Sequence, residues 1–206
     1  GVSPGRAVGP VLRMPDPIAE PAVGAPVPEE DREAEAARIA EAAAVVKADL
    51  EARAAVAHGE GRALLEATAL MASDPTLVAT ASGKVTADGS VPERAVWDAA
   101  SEVAAMLSSL GGYMAERARD IQDVRDRLVA VLTGRPAPGV PVRAEPFVLT
   151  ALDLAPADTA TLDPEICVAL VTAQGGPTSH TAILAKALGL PAVVAAPGIL
   201  DVPEDT

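Results

Sequence analysis

The sequence predicts an α/β domain into which an all-α helical bundle is inserted. Three observations lead there. A short strand pattern opens the chain, residues 29–133 read as consecutive helices, and strand patterns return only after residue 146. Grouped this way, residues 1–28 and 134–206 form the α/β part and residues 29–133 the inserted bundle.

Each element has its own signal. Ser3, Pro4 and Gly5 read as a turn before a strand from about Ala7 to Arg13. Pro10, Pro15, Pro17, Pro21, Pro26 and Pro28 mark the following stretch as an extended connector. Five acids and one arginine at 29–35 suit a helix N-terminus, and Ile39, Ala43, Val46, Leu50, Ala54 and Ala57 form a helical stripe. Gly59 and Gly61 are expected to break that helix before a second one over 62–72. Asp74-Pro75 starts a third, to about Ser82, and KVTADGSVP (84–92) reads as a turn. Pro92 opens a helix to Leu110, and the last bundle helix runs from Tyr113 to Leu132, closed by Gly134 and Pro136. After the linker at 134–146, FVLTALDL (147–154) and ICVALVTA (166–173) read as strands around a short helix or turn at 156–162. A helix over about 180–188 and a strand at 191–196 complete the α/β part.

Composition narrows the class. Half of the 206 residues are hydrophobic, yet there is one Trp, one Tyr and one Phe, so the core must be built from aliphatic side chains. A net charge of −13 argues against nucleic-acid binding and for a basic partner. A single cysteine excludes an internal disulfide, and Cys167 sits in the apolar run ICVALV as a strand residue, not a nucleophile. With no signal-peptide pattern and no run of 18 apolar residues, the expected location is cytoplasmic.

The stretch GGPTSHTAILAKALGLPAVV (175–194) carries the chemistry. His180 follows a glycine-rich turn and opens a helix, where unpaired N–H groups and the positive end of the peptide dipole welcome an anion. Gly175 and Gly176 let the backbone approach closely, and Thr178 and Ser179 offer hydroxyls for capping or for phosphate oxygens. A neutral imidazole is a good nucleophile near pH 7 and a good leaving group once phosphorylated.

These residues resemble the phosphohistidine signature of enzymes that use phosphoenolpyruvate (PEP), G-G-x-T-S-H-x-A-I-x-A-K/R-x-L-x-L-P-A-V-V, with every fixed position present. GVSPGRAVGPVLRM at the start, LLEATALMASDPTL (64–77) and YMAERARDIQDVRDRLV (113–129) resemble enzyme I of the PEP:sugar phosphotransferase system. The likeness thus runs over nearly the whole chain. It implies a swivelling phosphohistidine α/β domain with a helical insert that docks the small basic carrier HPr. His180 would take a phosphoryl group from PEP on Nε2 and pass it to HPr. The chain stops at Thr206, where family members add further strands, then a linker and a PEP-binding barrel that holds Mg²⁺ and forms the homodimer. The resemblance therefore implies an N-terminal piece, monomeric, without its own metal site, that exchanges phosphate with HPr but does not use PEP.

The resemblance also assigns roles outside the signature. Thr159, in LAPADTATL, matches the threonine whose hydroxyl bonds the unphosphorylated histidine; its local alternative is a helix cap. Arg117 matches an arginine at the carrier interface and falls near the buried stripe of Ile121, Val124, Leu128 and Val131; pairing with Glu116 or Asp120 is the alternative. Glu60, Glu66 and Asp74 are the acids expected to meet HPr, or else belong to a solvated face. Gly61 and Thr68 depart from family members that have lysine and histidine there, and His58 reads as an exposed helix-end residue. Two other functions stay open: an enzyme I-like module of a multiphosphoryl transfer protein, serving dihydroxyacetone kinase or nitrogen regulation, and an interaction module without transfer activity.

Overall fold

Alanine and valine, rather than aromatic rings, close the helical part of this chain. The computed structural model describes residues 1–56, 59–141, 143–154 and 162–206, with backbone alone for 59–61, 113, 115, 116 and 180. Contacts divide the chain into two units, residues 17–138 and residues 1–16 with 139–206.

In the helical unit, a 3-10 turn at Glu29–Asp31 leads into α1 (Arg32–Val56), followed by α2 (Gly59–Ala72), α3 (Pro75–Asp88), α4 (Pro92–Leu110) and α5 (Gly112–Leu132). Ile39, Ala43, Val46, Leu50 and Ala54 of α1 are buried, as the stripe predicts, together with Ala36 and Ala42. All of these except Ala54 share one core with Ala81, Val85, Val96, Ala99, Val124 and Leu128. So many alanines allow helix axes to approach closely, and dispersion between close-packed backbones replaces the missing rings. The single tryptophan, Trp97, carries Arg125 over its ring at 3.5 Å from the centroid.

Two helix boundaries differ from the sequence reading. The third helix continues to Asp88 and the turn shrinks to residues 89–91. Gly83 lowers helix propensity, but Ala81 and Val85 on either side are fully buried, and that burial outweighs it. Gly89, at φ +70, ends α3, and Arg32 seals the end: Nε donates to Val27 O at 3.2 Å and Nη1 to Thr86 O at 3.1 Å. The second helix begins at Gly59, the first of the glycine pair, and not at residue 62.

The connector belongs with the helices. Ile18 and Val27 are buried, Val27 N donates to Gly89 O at 2.8 Å, and Arg94 Nη1 meets Glu20 Oε1 at 2.7 Å. The division therefore falls at 16/17 and 138/139, not at 28/29 and 133/134. Proline content alone could not show that Ile18 finds a core to enter or that Val27 is buried.

The α/β unit has β1 (Val11–Arg13), β2 (Phe147–Ala151), β3 (Cys167–Thr172) and β4 (Ala192–Val193) in spatial order β1-β2-β3-β4, every neighbour parallel. Leu12 faces Leu149 in register, Leu149 faces Leu170, and Leu170 faces Ala192. The near-continuous apolar runs of β2 and β3 are what a covered parallel sheet requires. The helix α6 (His180–Leu188) crosses from β3 to β4. The first strand is shorter than expected, because Pro10 cannot donate to a ladder and Val8 is 97% exposed. The last strand is shorter too, and the chain turns at Ala195, where φ is +52. Both sheet edges are occupied: Val2 N donates to Ala192 O at 2.8 Å, and Asp205 N donates to Val11 O at 2.9 Å. Most of the expected short helix or turn at 156–162 lies outside the described residues.

Candidate functional site

The carboxyl ends of β2 and β3 support the loop that leads to His180. Ala173 N donates to Ala151 O at 3.0 Å and Gln174 N to Leu152 O at 2.9 Å, extending the pairing past both strands. The buried Thr172 hydroxyl donates to Gln174 O at 2.7 Å and holds the bend. Gly175 follows at φ +95, a conformation that disfavours any side chain. Ser179 N then donates to Gly176 O at 2.9 Å, closing the turn before α6.

Ser179 is the N-cap of α6. Its extended backbone (φ −64, ψ 159) turns Oγ back to accept from Ala182 N at 3.3 Å. His180 is thereby the first helical residue, placed by its backbone where the dipole is positive. Gly189, at φ +67, caps the other end after nine residues. Sites in parallel α/β sheets gather outside the carboxyl ends of the strands, which is where this turn lies.

Two neighbours of His180 escaped sequence reasoning. Thr181 is 1% exposed, and its hydroxyl donates to Asp153 Oδ1 at 3.2 Å. The same oxygen accepts from Leu154 N at 2.9 Å. A Cβ placed on Gly175 would stand 3.3 Å from Ser179 Oγ and 3.6 Å from Asp153 Oδ1, so the glycine turn packs against both. The available signal was an acid directly after an apolar strand, at the end where such sheets build their sites.

The remaining expected residues are distributed as follows. Thr178 is exposed, and a Cβ on Gly176 would meet nothing within 4 Å. Thr159 and His58 lie outside the described residues, as does the side chain of Glu60. In the helical unit, Glu66 pairs with Arg62 at 2.8 Å, both exposed. Asp74 caps α3, accepting from Thr76 N at 2.8 Å and Leu77 N at 3.1 Å. Arg117 is half-buried and meets Asp120 at 3.0 Å, while Ala118 beside it takes the fully buried position. Thr68 is buried with its hydroxyl on Leu64 O at 2.9 Å. Cys167 is buried in β3, and burial pushes its thiol up to about 11. Among the described residues no three acidic, histidine or cysteine side chains gather to hold a metal ion. Among them, too, no helix is long and apolar enough to cross a membrane.

The sequence matches the family described as PEP-utilising enzyme, N-terminal, over residues 1–117, and that described as PEP-utilising enzyme, mobile domain, over residues 143–206. The chain belongs to the PEP-utilising enzymes. Among relatives of this chain, the phosphoenolpyruvate-protein phosphotransferase of Streptomyces coelicolor is 52% identical over 206 residues, covering 100% of this chain and 37% of the relative. That of Bacillus subtilis is 38% identical over 169 residues, covering 80% and 30%. The chain thus spans about a third of the length of these relatives. Among solved structures, an NMR solution structure of Enzyme I superimposes with a TM-score of 0.78 at 29% identity, over 99% of this chain and 84% of that one. An N-terminal domain of Enzyme 1 described as Nitrogen gives 0.61 at 26% identity, over 94% and 80%. Both likenesses agree with a fold of helical unit plus α/β sheet.

Proposed function

We propose that this chain relays phosphoryl groups from PEP to HPr through a phosphohistidine on His180, as the N-terminal domain of enzyme I. The observation that carries the reading is the placement of His180 as the first residue of a Ser179-capped helix, beyond the carboxyl ends of parallel strands. Its relatives' activity as PEP-protein phosphotransferases supports the same reaction. In the forward direction the His180 Nε2 lone pair forms a bond to phosphorus as the phosphorus–oxygen bond of PEP breaks, leaving enolpyruvate to take a proton and become pyruvate. In the second step the carrier's histidine nitrogen attacks, the His180 P–N bond breaks, and its electron pair returns to the ring.

The chain's contribution is positioning and charge neutralisation, which phosphoryl transfer mostly needs. Backbone N–H groups of the first turn and the hydroxyls of Thr178 and Ser179 would face the phosphoryl oxygens, and Thr159 would hold the free ring in one tautomer. Gly175 and Gly176 keep the approach open. PEP and Mg²⁺ would be bound by the part of the longer protein that follows in enzyme I, which also forms its dimer. Arg117, Glu60, Glu66 and Asp74 would meet basic HPr, in keeping with the net charge of −13. The reaction is a cytoplasmic one, and the 206-residue chain alone would be a monomer. A second reading, a module of a multiphosphoryl transfer protein, is favoured by 47% identity over 108 residues to such a protein of Xanthomonas campestris, covering 50% of this chain and 13% of the relative.

The test mixes the chain with phosphorylated HPr. Acid-labile, base-stable phosphate is expected on His180 and absent from His180→Ala. Equal labelling of the two would overturn the proposal.

A further inference from the structure

We propose that Asp153 is a positioning residue for transfer at His180, acting through the buried hydroxyl of Thr181. The inference rests on the proposed function of His180 and adds a residue to it. One carboxylate oxygen joins three segments that are separate in sequence. It accepts from Leu154 N just past β2 and from Thr181 Oγ1 in the first turn of α6, and it lies against the glycine turn at Gly175. Thr181 is 1% exposed, so its hydroxyl has no water to turn to and the bond to Asp153 holds it in one rotamer.

His180 therefore lies between two pinned neighbours: Ser179, whose oxygen is held by Ala182 N, and Thr181, held by Asp153. Rotation of the first helical turn would break one bond or the other. A carboxylate suits this place, because its charge strengthens both hydrogen bonds and complements the helix N-terminus. The device matters because in-line attack tolerates little displacement of the nucleophile. The part assigned to Asp153 is to fix the base from which the ring projects.

The experiment follows single-turnover transfer from phosphorylated HPr to this chain and to Thr181→Val, Thr181→Ser, Asp153→Ala and the Asp153→Ala/Thr181→Val pair. At saturating carrier, Thr181→Val and Asp153→Ala are expected to slow transfer about tenfold, with the half-saturating carrier concentration unchanged. Thr181→Ser, which keeps the hydroxyl, should restore the rate, and the double variant should be no slower than the worse single one. A merely structural role would lower the melting temperature without that rescue or that split. Should Asp153→Ala not fold, the isosteric contrast of Thr181→Val with Thr181→Ser still decides. If the wild-type chain labels on His180 and Thr181→Val transfers as fast, the tether plays no part and the phosphohistidine reading stands. If the wild type never labels, both fail together.

Discussion

Gly175 and Ser179 are packed so closely that a methyl group on the glycine would stand 3.3 Å from the serine's Oγ. The turn and the helix cap are thus one object: the left-handed backbone at Gly175, φ +95, is what brings Ser179 round to its capping position. Replacing Gly175 by alanine should cost about 1–2 kcal/mol from backbone strain alone and slow phosphoryl labelling as well. Gly176→Ala, with φ outside the left-handed region and open space around it, should leave stability nearly unchanged, so any loss of labelling there reports on the approach to His180. Denaturant melts and the labelling assay on the two variants check the contrast; equal effects on stability would contradict it.

Asp74 combines a cap with an assignment to the carrier surface, and substitution separates the two. Asp74→Ala removes the acceptor of Thr76 N and Leu77 N and should lose about 1 kcal/mol of stability. Asp74→Asn keeps that acceptor and should melt close to wild type, while slowing HPr association at low ionic strength as Asp74→Ala does. Association rates for Asp74→Asn that match wild type at every salt concentration would confine Asp74 to its structural role.

The pH response of the helical unit follows from Asp126. Burial holds its carboxyl above the usual carboxylate range, and the ion pair with Arg125 at 2.8 Å offsets this only in part. The folded protein binds this proton more tightly than the unfolded chain does. The group's contribution to stability is therefore complete below the ordinary value of 3.8 and is lost as pH rises through the raised one. Asp126→Asn, which cannot ionise, should melt higher than wild type at pH 7, with the gap closing toward pH 3. A lower melting temperature at pH 7 would show that the Arg125 pair outweighs the desolvation.

Cys167 supplies a probe of unfolding in the α/β unit. With its thiol pushed up to about 11 and its side chain buried, the thiolate fraction at pH 8 is on the order of 0.1%. Modification by a thiol reagent at pH 8 should be at least roughly a hundredfold slower in the native protein than in denaturant. Native-state labelling at the denatured rate would mean that β3 opens readily.

Where a signal is carried by neighbours in the chain, sequence reasoning went far. Pro92 and Leu110 bound α4 as read, the expected 180–188 helix runs from His180 to Leu188, and the stripe on α1 is buried where its spacing predicts. Caps, prolines and periodicity act within a turn or two, so the residues that set them are adjacent on the page. The extension of α3 through Gly83 was not readable, because its cause is the burial of Ala81 and Val85 against other helices. The connector's place with the helices was hidden for the same reason, since Ile18 reveals its partner only once the bundle exists.

Local chemistry thus determined that His180 opens a helix behind a glycine turn and that an adjacent hydroxyl caps it, since a few consecutive positions suffice to build a cap and a dipole. Tertiary structure alone decided what steadies that turn. Asp153 and Thr181 are 28 residues apart, and only the parallel pairing of β2 with β3 brings a carboxylate from one strand's end to the first turn that follows the other.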